Sequence, residues 1–199
     1  MTRMICVFMV LALSAVGAAG QTGAGTAKPA TPAAGAKPSP GAGPVIVFET
    51  VKGTFEMETY PKDAPKSVEH ILTLVRRNFY NGLRVHRVIP GFVAQFGDPQ
   101  TRDMTKQDSW GQRGSGRDIG VAEIKRTHRL GAVALAHRGD PREGDSQMYI
   151  CLNGPERYAG IEGDFTIFAQ VISGMDVVQQ LQVPDVIRRA TVKEPVPAK

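Results

Sequence analysis

Eight short runs of β-branched and aromatic residues, each cut off by glycine, proline or a polar cluster, occupy the chain from Val45 to Val192 and constrain its fold more than any other feature. They read VIVFETV (45–51), TFEMETY (54–60), VHRVI (85–89), FVAQF (92–96), AVALAH (132–137), QMYICL (147–152), TIFAQVIS (166–173) and VIRRATV (186–192). Runs this short, made of these residue types, form strands. Lys52-Gly53 between the first two is a tight hairpin signal, and Pro90-Gly91 between the third and fourth is a corner. Two stretches have helical character. In PKDAPKSVEHILTLVRRN, Val68, Ile71, Leu72 and Val75 share one face and the prolines stay at the start. A brief second helix is expected from Met175 to Leu181. This pattern predicts a mainly β fold, a closed eight-stranded antiparallel barrel capped by two α-helices.

The segment ahead of Val45 has no part in that pattern. Residues 1–20 combine a basic start at Arg3, an apolar stretch from Ile5 to Val16 and small residues from Gly17 to Gly20. That is the layout of a signal peptide, and the apolar stretch is shorter than the ~20 residues a membrane span needs. Residues 21–44 are rich in Gly, Ala, Pro and Thr and read as a disordered tether. Residues 45–193 are then the single folded domain and 194–199 a flexible tail. Removal of the signal takes Cys6 with it and leaves Cys151 alone, so no intramolecular disulfide is expected. Cys151 sits inside a strand-like run and reads as a buried small hydrophobe.

The formal net charge of +5 is scattered along the chain, which argues against a nucleic-acid partner. His70, His86, His128 and His137 have no metal-ligand spacing and read as solvated or loop histidines, so no metal is expected. There is no GxSxG elbow and no phosphate loop, and GQRGSG (111–116) lacks the strand-to-helix setting of a dinucleotide fingerprint. It reads as part of a long polar loop from Gly97 to about Gly120, anchored by Trp110 and tied down by Glu123. The one conspicuous charge is Arg87, inside an apolar strand. Burying a guanidinium without a partner is prohibitive, so Arg87 either faces solvent or lines a cleft.

The segments HRVIPGFVAQFGDP, SQMYICL and IFAQVISGMDVV, in this order and spacing, resemble the cyclophilin family of peptidyl-prolyl cis-trans isomerases, over about Val45 to Lys193. The resemblance implies a cyclophilin-like barrel and a groove that acts on X-Pro peptide bonds without a cofactor. It implies that Arg87 is the catalytic arginine, with Phe92 in the proline pocket and Gln95 in the groove. Strand alternation agrees, since Val93 and Gln95 share one face while Ala94 and Phe96 share the other. The remaining groove positions it implies are Val93, Ala136, His137, Gln147, Met148, Tyr158 and Phe165. Several depart from the common pattern. Met148 stands for a phenylalanine, Val93 for a methionine, His137 for an asparagine and Phe165 for a histidine. Tyr158 stands where many members carry the tryptophan associated with cyclosporin binding, which implies weak affinity for that ligand.

The resulting expectation is an exported isomerase, periplasmic or secreted, acting on proline-containing polypeptides, with no stable membrane insertion after signal cleavage. The alternative is a proline-peptide binding module or holding chaperone with little turnover. Protein recovered from its native host should begin near Gly20 or Gln21 and titrate one thiol after denaturation. Membrane-bound protein that retains Met1 would contradict the export reading.

Overall fold

A computed structural model of the chain describes residues 43–193. The expected signal segment 1–20, almost all of the tether and the tail 194–199 lie outside the described residues. One antiparallel sheet contains β1 (Val45–Thr50), β2 (Thr54–Thr59), β3 (Arg87–Ile89), β4 (Val93–Phe96), β5 (Ala132–Leu135), β6 (Met148–Cys151), β7 (Ile167–Ser173) and β8 (Ile187–Lys193), in the order β3-β4-β6-β5-β7-β2-β1-β8. Helix α1 spans Pro65–Arg76 and α2 spans Met175–Gln179. Each expected strand and both helices are present, to within a few residues at their ends.

The expected closed barrel is corrected in one respect. The two outer strands β3 and β8 do not form a ladder with each other, so the sheet curls into a half-barrel. β3 has only three residues, and the segment ahead of it meets the residue just before β8 through one isolated bridge between Arg84 and Val186. Flanking hydrogen bonds run from Val85 N to the Asp185 carbonyl at 2.9 Å and from Ile187 N to the Leu83 carbonyl at 2.8 Å.

Strand pleating divides the residues into two apolar clusters. Inside the curve, Phe48 stacks on Phe55 with ring centroids 5.1 Å apart and meets Phe96 edge-on at 5.4 Å. Val68, Ile71, Leu72 and Val75 of α1 join this core, as their spacing predicts. On the outer face Val93, Ala132, Ala134, Tyr149, Cys151, Tyr158 and Ile167 form a second cluster. Gly97 ends β4 at φ +114, and a Cβ there would lie 2.2 Å from the Ser146 carbonyl oxygen. Any larger residue would push β4 away from the start of β6.

The long loop after β4 is held by buried carboxylates. Asp98 is fully buried and accepts from Gln100 N at 2.7 Å, Gln112 N at 2.9 Å and Arg113 N at 3.1 Å. Asp145 accepts from Gly116 N at 3.0 Å, Ser115 Oγ at 2.5 Å and His70 Nε2 at 2.9 Å, joining the loop to α1. Glu123 ties the loop down as expected. Its two oxygens accept from Lys66 N at 3.0 Å and Ser67 N at 2.9 Å, supplying the cap that α1 lacks at its own N-terminus.

Burial pushes the Asp145 carboxyl up, but the bonds from His70, Ser115 and Gly116 outweigh it and hold it below the usual carboxylate range. A folded-state pKa below the unfolded one stabilises the protein above the ordinary value of ~3.9, and this contribution is lost as pH falls through the folded value. Unfolding free energies of the natural protein should therefore fall more steeply below about pH 4 than those of Asp145→Asn, which is less stable at neutral pH. Parallel acid limbs for the two proteins would show that the Asp145 bonds carry no linkage.

Candidate active site

The outer face of β3, β4, β6 and β5 positions the candidate residues through register. Arg87 pairs with Gln95, Gln95 with Tyr149, Tyr149 with Ala134, and Ala134 with Ile167, so these five form one row across the sheet. Directly paired residues share a face, and this row lies outside the core. The neighbouring row Phe96, Met148 and Leu135 points inward.

Two adjoining basins open on this face. An apolar one of about 590 Å³ is lined by Arg87, Phe92, Val93, Gln95, Ala136, His137 and Phe165, together with His86, Trp110, Gly111, Tyr149 and Ile161. A polar one of about 410 Å³ shares Gln95, Gly111, Ala136 and His137 and adds Gln147, Arg113, Arg138, Glu143 and Asp145 among its walls. Volumes in this range suit small ligands or single side chains of a peptide.

Arg87 is exposed, and its Nη1 donates to Gln95 Oε1 at 3.0 Å. Gln95 Nε2 donates to Gln147 Oε1 at 2.9 Å, and Gln147 Nε2 donates to the carbonyls of Gly111 at 2.8 Å and Arg113 at 2.9 Å. The guanidinium is thus oriented through a line of amides, and no carboxylate cancels its charge along that line. Beside it, burial brings the His86 imidazole down to about 4, against the pull of Asp98 and with a smaller push from Arg87. His86 is neutral at pH 7 and adds no second positive charge. His137 donates Nε2–H to the Asp164 carbonyl at 2.8 Å, and its ring lies 4.4 Å from that of Phe165.

Eight of the ten expected site residues therefore meet in the two basins, and two do not. Met148 is fully buried in the inner core, because the residue after the inward-facing Ser146 and groove-facing Gln147 turns inward again. Its neighbour Tyr149, paired with Gln95, is the one that lines the basin. Tyr158 is also fully buried. Its hydroxyl accepts from Leu152 N at 3.0 Å and Asn153 N at 3.2 Å and donates to the Phe92 carbonyl, so its ring lies beneath Phe92. A residue held there offers no face to a groove ligand, which removes the basis for a cyclosporin expectation drawn from it.

The histidines are more buried than expected. His128 has 1% of its surface exposed and bonds Glu162 and Tyr149. Cys151 is buried as expected, and burial raises its thiol to about 12, which leaves it no nucleophilic role. Trp110, read from sequence as a loop anchor, also lines the apolar basin and donates Nε1–H to the Asp103 carbonyl at 3.2 Å.

The outer face of this antiparallel half-barrel thus sets an apolar basin beside an oriented guanidinium, an arrangement suited to holding a peptide. The sequence pattern of the cyclophilin type peptidyl-prolyl cis-trans isomerase/CLD family matches residues 45–198. A peptidyl-prolyl cis-trans isomerase of Helicobacter pylori is 35% identical over 144 residues, 70% of this chain and 81% of that protein. A probable peptidyl-prolyl cis-trans isomerase of Brucella abortus is 33% identical over 155 residues, 75% of this chain and 77% of that protein. Among solved structures, a cyclophilin type isomerase of Cryptosporidium parvum superposes with a TM-score of 0.64 at 21% identity, covering 77% of this chain and 99% of its own. The same protein has also been crystallised in the presence of the dipeptide Ala-Pro. The chain belongs to the cyclophilin-type peptidyl-prolyl cis-trans isomerase family.

Proposed function

We propose that this groove accelerates rotation about X-Pro peptide bonds by stabilising the twisted amide with Arg87. The observation that carries this reading is the Arg87 guanidinium on the open wall of an apolar basin, its direction fixed by the neutral acceptor Gln95.

The uncatalysed barrier is ~18 to 20 kcal/mol, because rotation breaks amide resonance. As the bond twists, the prolyl nitrogen loses conjugation, becomes pyramidal and gains basicity. A donor at that nitrogen bonds the twisted state better than either planar isomer, and such differential binding lowers the barrier. Arg87 supplies a permanent charge on a rigid fork. In this reading Phe92, Val93, Phe165 and Tyr149 enclose the proline ring, while Gln95, Ala136, His137 and Gln147 face the flanking peptide. The substrates are proline-containing polypeptides. The basic start at Arg3 and the apolar stretch from Ile5 to Val16 support export, so the clients in this reading are newly exported or unfolded chains in the periplasm or outside the cell.

Exchange between cis and trans forms of a short X-Pro peptide, followed by NMR, separates catalysis from binding. Substoichiometric protein should accelerate exchange, and Arg87→Ala should retain its fold while losing ~100- to 1,000-fold in kcat/KM, the usual cost of removing one electrostatic donor. Unaltered exchange with the natural protein would leave a binding module. Near-natural rates in a folded Arg87→Ala variant would remove Arg87 from the chemistry.

A further inference from the structure

We propose that His128, which does not line the groove, is a positioning residue that sets the separation and tilt of the two aromatic walls of the proline basin. The inference rests on the reading of that basin given above.

Four rings form one chain, stacked from Phe92 through Tyr158 to His128 and joined edge to edge from His128 to Tyr149 by a hydrogen bond. Phe92 lies 5.2 Å from Tyr158 at 19°, Tyr158 lies 5.2 Å from His128 at 12°, and His128 lies 6.0 Å from Tyr149 at 4°. The ends of the chain, Phe92 and Tyr149, line the basin, while the inner pair, Tyr158 and His128, is buried behind it. Phe165, a third wall, meets His128 edge-on at 6.1 Å and Tyr149 edge-on at 5.4 Å. The separation of the end walls is therefore set by Tyr158 and His128 between them, through two face-to-face ring contacts and one in-plane hydrogen bond.

Hydrogen bonds fix each inner ring in its own plane. Tyr158 is tied to the backbone of Leu152 and Asn153 and to the Phe92 carbonyl. His128 places its backbone N 2.8 Å and its Nδ1 2.9 Å from Glu162 Oε1, and its Nε2 2.7 Å from Tyr149 Oη. A carboxylate oxygen only accepts, so Nδ1 carries the proton, and in the neutral ring Nε2 accepts from the Tyr149 phenol. Burial also pushes the Tyr149 phenol well above its usual range, which keeps it a donor. Glu162 directly follows Ile161 and lies three residues before Phe165, both of which line the basin. The Glu162–His128–Tyr149 line therefore joins the β6 wall to the segment bearing the opposite rim.

This line shares no side-chain hydrogen bond with the Arg87–Gln95–Gln147 line, so disturbing it should loosen peptide binding and spare the rotation step. The test compares His128→Phe, which keeps a ring in the stack and loses the hydrogen bonds of the imidazole, with Tyr149→Phe and with the double variant. KM and kcat for one X-Pro peptide are measured alongside unfolding midpoints, in the full chain. Tyr149→Phe should raise KM by ~3- to 10-fold, the range one neutral hydrogen bond carries, and His128→Phe, which also loses the bond to Glu162, by at least as much, with kcat within about twofold in both. The double variant should be no worse than His128→Phe, because both remove the same bond. A lowered unfolding midpoint with unchanged KM would reduce His128 to a core residue, and additive effects would show that it does not act through Tyr149. Peptide Kd values from NMR titration of Tyr149→Phe, the mildest change, test the same claim without turnover. They remain decisive if the isomerase reading fails or if His128→Phe does not fold.

Discussion

The bond from Arg87 Nη1 to Gln95 Oε1 is the interaction on which the site depends. A carboxylate in place of the amide would hold the guanidinium more tightly and spend its charge on a protein partner. An amide oxygen orients the fork and leaves the positive charge for a ligand. Gln95 can do this only while its own nitrogen is committed elsewhere, and Gln147 accepts from it. Gln147 in turn needs the Gly111 and Arg113 carbonyls, which stand where they do because buried Asp98 draws in the neighbouring Gln112 and Arg113 N–H groups. The direction of one exposed charge is thus set from the interior by Asp98.

Register supplies the rest. Because Arg87, Gln95 and Tyr149 are directly paired, the charged end of the groove and its aromatic wall cannot shift relative to one another without slipping two ladders at once. The core rows on either side resist such a slip, since moving by one residue would turn Phe96, Met148 and Ile150 out to solvent. The apolar basin and the guanidinium beside it are consequences of one strand pairing.

Much of this was legible in the sequence. The eight strands, the two helices, the outward Val93 and Gln95 and the inward Phe96 follow from alternation and punctuation alone. The roles assigned to Arg87 and Phe92 came from the resemblance. The errors have physical causes. Met148 and Tyr149 are adjacent and both large, and which one faces the groove depends on pairing with β4, which no single strand reveals. Tyr158 lies in a helical turn, Pro155–Ile161, where no two-residue alternation operates, and its burial follows from a backbone hydrogen-bond set invisible in sequence. His128 looked like a loop histidine because its partners, Tyr149 and Glu162, are 21 and 34 residues away. The open seam between β3 and β8 likewise depends on long-range geometry.

A crystal structure of the protein with a short X-Pro peptide bound decides where the proline ring and the Arg87 guanidinium lie. The proline ring should lie between Phe92 and Tyr149, with the Arg87 guanidinium directed at the prolyl nitrogen and Gln95 still accepting from it. A proline ring seated in the polar basin of Arg113 and Arg138, or an Arg87 turned away into solvent with peptide bound, would contradict that arrangement.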